Sequence, residues 1–201
     1  MNYIMTLLEE NIQRIYKQVE ILSPTEIDMY HIADGLDIWI HHHEEESKAT
    51  KFKGQYYILL NDQLSPQEEW QDFAHELGHV VRHVGNQHKM NKPFRRMQES
   101  QSNNFMYHFC VPTFMLLEYE ISNFENIDEG SVFVSNVFNV TEEFAKKRLI
   151  RFHNQVLLGK SDEEHRQYMD SRYPKAPPYS AETNEILDKL YRQLERKKVA
   201  F

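Results

Sequence analysis

The sequence predicts an α+β fold, mainly helical with a small antiparallel sheet. Three observations carry that prediction. Apolar residues recur at helical spacing on both sides of a central stretch. That stretch, residues 36–61, is instead rich in β-branched and aromatic residues. Two Ser-Pro-x-Glu tetrads, at 23–26 and 65–68, carry the capping signature of helix starts. The order that results is α-α-β-β-β-α-α-α, with a minor sheet.

Each element follows from local chemistry. Leu8, Ile12, Ile15, Val19 and Leu22 form one helical stripe near the start of the chain. Ser23-Pro24-Thr25-Glu26 then opens a short helix expected to run to about Ala33 and to end near Gly35. Strands are expected at Asp37–His43, Ala49–Phe52 and Gln55–Leu60, with Gly54 supplying a turn. Ser65-Pro66-Gln67-Glu68 opens the most regular helix, whose apolar stripe is Phe73, Leu77, Val80, Val81 and Val84, with Gly85 at its C-terminal end. Another helix is expected over about Arg95–Val111, ended or kinked by Pro112. An acidic segment, Glu118–Gly130, leads to a short helix at Ser131–Phe138 and a longer one at Thr141–Leu157. Beyond Gly159 the chain turns polar, Pro174, Pro177 and Pro178 mark a linker, and Ile186, Leu187, Leu190, Tyr191 and Leu194 stripe a last amphipathic helix.

Composition narrows the function classes. With 40% hydrophobic and 27% charged residues among 201, the chain can build a core and is not disordered by composition. Mean hydropathy is −0.70, and no apolar run approaches the roughly 18 residues of a membrane span. The first residues carry acids where a secretory signal carries bases, and the single cysteine, Cys110, has no internal disulfide partner. Both lead to the expectation of a cytoplasmic protein. A net charge of −8 argues against a broad phosphate-binding surface.

The chemistry concentrates at His75-Glu76-Leu77-Gly78-His79. Histidines four apart on a helix stand one turn above each other, so both imidazoles can reach one cation. With 11 histidines in the chain, an HExxH pentad arises by chance about 0.06 times per shuffled sequence, and this one lies on an independently capped helix. Zn²⁺ in a catalytic site takes three protein ligands and keeps a fourth position for water. Glu76, beside the first histidine, is then the base for that water. Gly78 costs about 1 kcal/mol in a helix interior, which implies that another backbone passes close by. Two histidines leave the site incomplete, and the next helix offers Glu99 as the third ligand.

HELGH followed by Glu99-Ser100-Gln101-Ser102-Asn103-Asn104-Phe105 resembles the ImmA/IrrE-type metallopeptidases of bacteria, phages and integrative elements. Their pattern couples HELGH to E-x-x-A-N-x-F-A on a helix ending in LLMP. Here Ser102 and Met106 stand for the two alanines, and Phe109-Cys110-Val111-Pro112 for the ending. Tyr57–Asn61, Asp72-Phe73-Ala74, His83, Val132–Val140 and Arg148-Leu149 extend the likeness over about residues 1–157. The resemblance implies a zincin-like (glutamate-zincin) core over 1–118 with His75, His79 and Glu99 as ligands. It further implies a helix-turn-helix-like segment over 119–160. Residues 161–201 are left as a polar linker and C-terminal amphipathic helix.

The implied activity is a site-specific zinc metallo-endopeptidase. Its implied substrate is a transcriptional repressor of helix-turn-helix type, from a mobile element, prophage or stress regulon. A non-proteolytic protein that binds a repressor or antitoxin through the same fold is the alternative. One Zn²⁺ per chain is expected, although two histidines and a carboxylate also suit Mn²⁺ or Fe²⁺. His83 and Tyr107 are candidate transition-state donors; Asp72 and Asn103 are candidates to orient a ligand. Tyr56, Tyr57, Ile58 and Leu59 lie on the strand expected to form the edge beside the site and to take an extended substrate.

Other histidines have plainer explanations. On a strand only His41 and His43 of the triple-histidine run share a face, and a strand end explains them without a metal. His88 and His108 are not expected to be ligands, and Cys110 is read as a buried thiol. Glu142 and Glu143 occupy the helix start where a DNA reader needs basic residues, so DNA binding is not expected despite Lys146, Lys147, Arg148 and Arg151.

Overall fold

The computed structural model describes residues 3–82, 91–119, 127–173 and 178–198. The α+β class holds: eight helices and a three-stranded sheet lie among the described residues. Helix α1 (Leu7–Gln18) starts at Thr6 in a reciprocal cap, the Glu9 carboxylate accepting the Thr6 amide at 2.7 Å. The Ser23 signature heads only a single 3₁₀ turn (Pro24–Glu26), because Asp28 starts the next helix instead. Its carboxylate accepts the His31 amide at 2.7 Å and caps α2 (Met29–Gly35).

The sheet corrects the sequence reading. Strands β1 (Ile38–His43), β2 (Lys48–Phe52) and β3 (Gln55–Asn61) lie in the order β1-β3-β2. β2 pairs antiparallel with β3 through a two-residue turn, Lys53 and Gly54, both with positive φ. β1 runs parallel to β3, so the sheet is mixed and not antiparallel throughout. The strand holding Tyr56, Tyr57, Ile58 and Leu59 is therefore central, and cannot be the edge that takes a substrate. The reason was present in the composition. Tyr-Tyr-Ile-Leu-Leu suits a strand paired on both sides, whereas Lys-Ala-Thr-Lys-Phe of β2, with two lysines, suits an edge.

Helix α3 (Pro66–Arg82) begins at Ser65, whose hydroxyl and amide both meet the Glu68 carboxylate. Helix α4 (Lys92–Cys110) begins at Asn91. Pro112 ends it and stands at the start of α5 (Thr113–Glu118), a helix the sequence reading does not contain. Helix α6 (Ile127–Phe138) starts earlier than expected and ends at Asn139, which takes a left-handed φ of 50°. Helix α7 (Glu142–Arg172) does not stop at Leu157; the polar run past Gly159 stays helical, with an Arg166–Glu163 pair at 2.7 Å on its surface. Helix α8 (Ala181–Lys198) is the last element.

The chain divides into two units, residues 1–159 and 160–201. The first has one hydrophobic core. Ile58 and Leu60 of β3, Phe73 and Leu77 of α3, Phe105 and Phe109 of α4, and Phe138, Ala145 and Leu149 of α6 and α7 are all buried in it. Tyr16 of α1 donates its hydroxyl to the Phe109 carbonyl at 2.8 Å. Val81, expected on the buried stripe of α3, is 41% exposed, and Ala74 takes the inward position instead.

Candidate metal centre

The packing of α3 on α4 positions everything that follows, and Gly78 decides how closely they pack. A Cβ built there would stand 3.1 Å from Phe105 Cδ1 and 3.3 Å from Ser102 Cα. Only a glycine opposite a small residue lets the two backbones approach this far. The expectation that another backbone passes Gly78 is met, and the backbone is that of the helix carrying Glu99.

Three side chains converge across this contact. His75 Nε2 and His79 Nε2 are 3.1 Å apart, and Glu99 Oε2 lies 3.3 Å from the first and 3.5 Å from the second. Donors at about 2.0–2.1 Å from a tetrahedral Zn²⁺ stand roughly 3.3–3.4 Å from one another. The triangle of 3.1, 3.3 and 3.5 Å thus has the dimensions of one face of such a polyhedron. It is the one group of three or more metal-ligating side chains found among the described residues. His79 is nearly buried, and Glu99 is the most open of the three. One protein ligand set of two imidazoles and a carboxylate, with an open side, fits a catalytic ion.

Glu76, next to His75 in the chain, also reaches the sheet. Its Oε2 accepts the Ala49 amide of β2 at 2.6 Å. Burial pushes its carboxyl up to about 7, against the pull of the Ala49 amide and with the negative charges of Glu99 and Asp72 pushing the same way. A carboxyl held near neutrality can both accept and return a proton. The edge strand β2 therefore touches the candidate base directly, a contact that no motif announced.

The remaining candidates divide. Asp72 acts on Glu76 through its charge. Asn103 and Tyr107 line a cleft that also contains Glu99. Tyr107 is stacked on Phe144 at 4.5 Å, with the Arg151 guanidinium 4.1 Å over its ring. His83, His88, Val84 and Gly85 lie outside the described residues. His41 stacks on Tyr57, and His42 meets Glu69. Cys110 is wholly buried, and burial raises its thiol well above the ordinary value.

Sequence reasoning missed a buried polar system behind the site. Arg148 is fully buried; it donates to the Val111 carbonyl at 3.1 Å and to the Thr113 hydroxyl at 2.7 Å. Thr113 in turn donates to Glu9 at 2.5 Å, and Tyr3 adds a hydroxyl at 2.8 Å. His108 Nδ1 lies 3.5 Å from the same carboxylate. Arg148 therefore cannot serve a nucleic acid. Its place on the Ala145–Leu149–Phe152 stripe was the available signal, since a charge on an apolar face must be paired.

A buried acid beside a two-histidine, one-carboxylate set, with a sheet edge against the acid, fits the arrangement of an HExxH-type metal centre. Residues 33–150 match the model of the peptidase M78 family, described as the IrrE N-terminal-like domain, and the chain belongs to that family. It is 49% identical over 145 residues to the phage-like element PBSX protein XkdA of Bacillus subtilis, covering 72% of each chain. It is 36% identical over 156 residues to the uncharacterized protein YqaB of the same organism, covering 78% of this chain and 90% of that one. An uncharacterized immunity region protein 2 of Bacillus phage phi105 is 27% identical over 127 residues, 59% of this chain and 77% of that one. Among solved structures, a Mycobacterium tuberculosis transcriptional regulator shares the fold at a TM-score of 0.50 and 12% identity. That likeness covers 69% of this chain and 44% of the other. Among the described residues no helix is long and apolar enough to cross a membrane.

Proposed function

We propose that this protein is a zinc-dependent endopeptidase that cuts a protein substrate at a specific site, the substrate being a helix-turn-helix repressor of a phage or mobile element. The observation that carries the chemistry is the 3.1, 3.3 and 3.5 Å triangle of His75, His79 and Glu99 with Glu76 beside it. The repressor substrate rests on the family resemblance, and the phage setting on relatives from the PBSX phage-like element and from a phage immunity region.

His75, His79 and Glu99 would hold the ion, and Zn²⁺ in such a set supplies Lewis-acid chemistry, acidifying a water and polarising a carbonyl. Glu76, poised near neutrality by burial, takes the proton from the attacking water and returns it to the leaving amine. The Ala49 amide fixes which way the Glu76 carboxyl faces. With β3 central, β2 is the strand with a free edge beside Glu76, and an extended substrate adding to that edge would lie against the base. A cytoplasmic location belongs to the same reading, because such a repressor works there.

The test is incubation of the purified chain, loaded with Zn²⁺, with repressors encoded beside its own gene, read by mass spectrometry of the products. A single cut that is lost on chelation and in Glu76→Gln is the expected result. A Glu76→Gln protein that cleaves like the wild type refutes the mechanism. Repressor inactivation that survives both chelation and Glu76→Ala would instead establish the stoichiometric-binding alternative.

A further inference from the structure

The protein carries 31 acidic and 23 basic side chains, yet a cleft beside α4 reverses that balance. The cleft, about 710 Å³, is walled by Arg82 from the end of α3, Arg96 from α4 and Arg151 from α7. Among the described residues that line it, the one acid is Glu99, already committed to the metal-ligating triangle. The cleft is therefore continuous with the candidate centre. None of the three arginines has a carboxylate partner among the described residues.

Along α4, Arg96, Ser100, Asn103 and Tyr107 fall at i, i+4, i+7 and i+11, one face of the helix, with Glu99 alongside. At about 1.5 Å per residue this face is some 16 Å long, room for roughly five residues of extended peptide. The far end is stiffened. Arg151 lies over the Tyr107 ring at 4.1 Å and donates to Asn104 Oδ1 at 3.2 Å, while Tyr107 itself is stacked on Phe144. A guanidinium held in two ways before a ligand arrives loses little freedom on binding one, and its remaining N–H groups match a carboxylate.

We propose that this arginine-lined cleft is a substrate-recognition groove that takes an extended peptide bearing acidic side chains within about five residues of the scissile bond. The inference rests on the peptidase reading for what happens to the peptide, and on the cleft alone for what binds. Arg96, near Glu99, reads an acid close to the cut. Arg151, two to three turns further along α4 by way of Asn104 and Tyr107, reads a second one more distant.

The experiment uses the full chain and two fluorescein-labelled ten-residue peptides, alanine-rich, one with two glutamates four residues apart and one with glutamines in their place. Binding is followed by anisotropy with and without Zn²⁺. The glutamate peptide should bind at least tenfold more tightly, and the preference should shrink as salt rises. Arg151→Gln and Arg96→Gln should each reduce the preference several-fold, and Arg151→Glu should favour a lysine peptide over the glutamate one. Folding of each variant is checked by its melting temperature and by an unchanged affinity for Zn²⁺.

Equal binding of the two peptides overturns the proposal. So does a preference that Arg96 and Arg151 substitutions leave untouched, or displacement of the acidic peptide by oligo(dT) at equal phosphate concentration, which would make the cleft a nucleic-acid site. Cleavage of the repressors encoded beside the protein's gene, compared with Glu76→Gln, reports separately on the peptidase reading. Repressor cutting without acidic preference removes the groove and keeps the peptidase. Acidic preference in a chain that cuts nothing keeps the groove and removes the peptidase.

Discussion

Gly78→Ala separates the two consequences of close helix packing. A methyl group there meets Phe105 Cδ1 at 3.1 Å and the Ser102 backbone at 3.3 Å, so one helix must yield by a few tenths of an ångström. The gain from replacing glycine in a helix interior is about 1 kcal/mol, and crowding a packed interior costs about 1–3 kcal/mol. The variant should therefore be destabilised by roughly 0–2 kcal/mol, a change of modest size. The metal centre should suffer more than the fold. Any movement of α4 carries Glu99 away from His75 and His79, and Zn²⁺ affinity should fall by about tenfold or more. Gly159→Ala provides the matched control, because a Cβ there meets nothing within 4 Å and should stabilise α7 by up to about 1 kcal/mol. The assays are urea unfolding without metal and Zn²⁺ titration against a competing chelator. If Gly78→Ala gains stability as Gly159→Ala does, and binds Zn²⁺ as the wild type does, the close approach is not what places Glu99.

Further expectations concern the ligands, the base and the buried charges. Glu99→Gln should weaken Zn²⁺ binding at least a hundredfold, and should abolish the rise in melting temperature that saturating Zn²⁺ gives the wild type. Ala49→Pro removes the amide that holds Glu76 on an edge strand where proline is tolerated; turnover should drop about tenfold or more while Zn²⁺ affinity is kept, as measured by cleavage of the repressor substrate and chelator competition. For Glu9, burial raises the carboxyl, but the His108 ring, the Thr113 hydroxyl, the Thr6 amide and the Tyr3 hydroxyl outweigh it and hold Glu9 well below its ordinary 4.5. The unfolded chain then takes up that proton first, so stability is complete above about pH 4.5 and falls as the pH drops further. The slope should approach 1.4 kcal/mol per pH unit at most from this one group, and urea unfolding of Glu9→Gln between pH 5 and 3 should lack it.

The legibility of the chain followed the range of its interactions. The α3 helix, its Ser65 start and the two histidines one turn apart depend on residues a few positions away, and each stands where the pattern puts it. Glu99 was offered by the helix that follows directly and assigned through the family pattern it begins, while Gly78 signalled only a close neighbour. What the pattern missed was decided at long range. Strand order was misread because neighbours in sequence were assumed to pair, whereas β1 passes over its neighbour β2 to lie beside β3. The Ala49–Glu76 bond joins residues 27 apart, and the Arg148–Thr113–Glu9 chain spans much of the sequence. Such contacts leave no periodic trace, though a buried arginine on an apolar stripe hinted at one.

That last chain of bonds has a consequence for how the molecule could be divided. The matched family region starts at residue 33, so Glu9 lies before it, while the cation that serves it, Arg148, sits near the region's other end. A fragment ending after α5 would keep the HELGH helix but leave Thr113 and Glu9 without their guanidinium in the dark of the interior. Shortened relatives of this protein must either supply a replacement cation at that spot or relinquish the acid at position 9. Positions 9, 113 and 148 are thus tied into one unit across the fold.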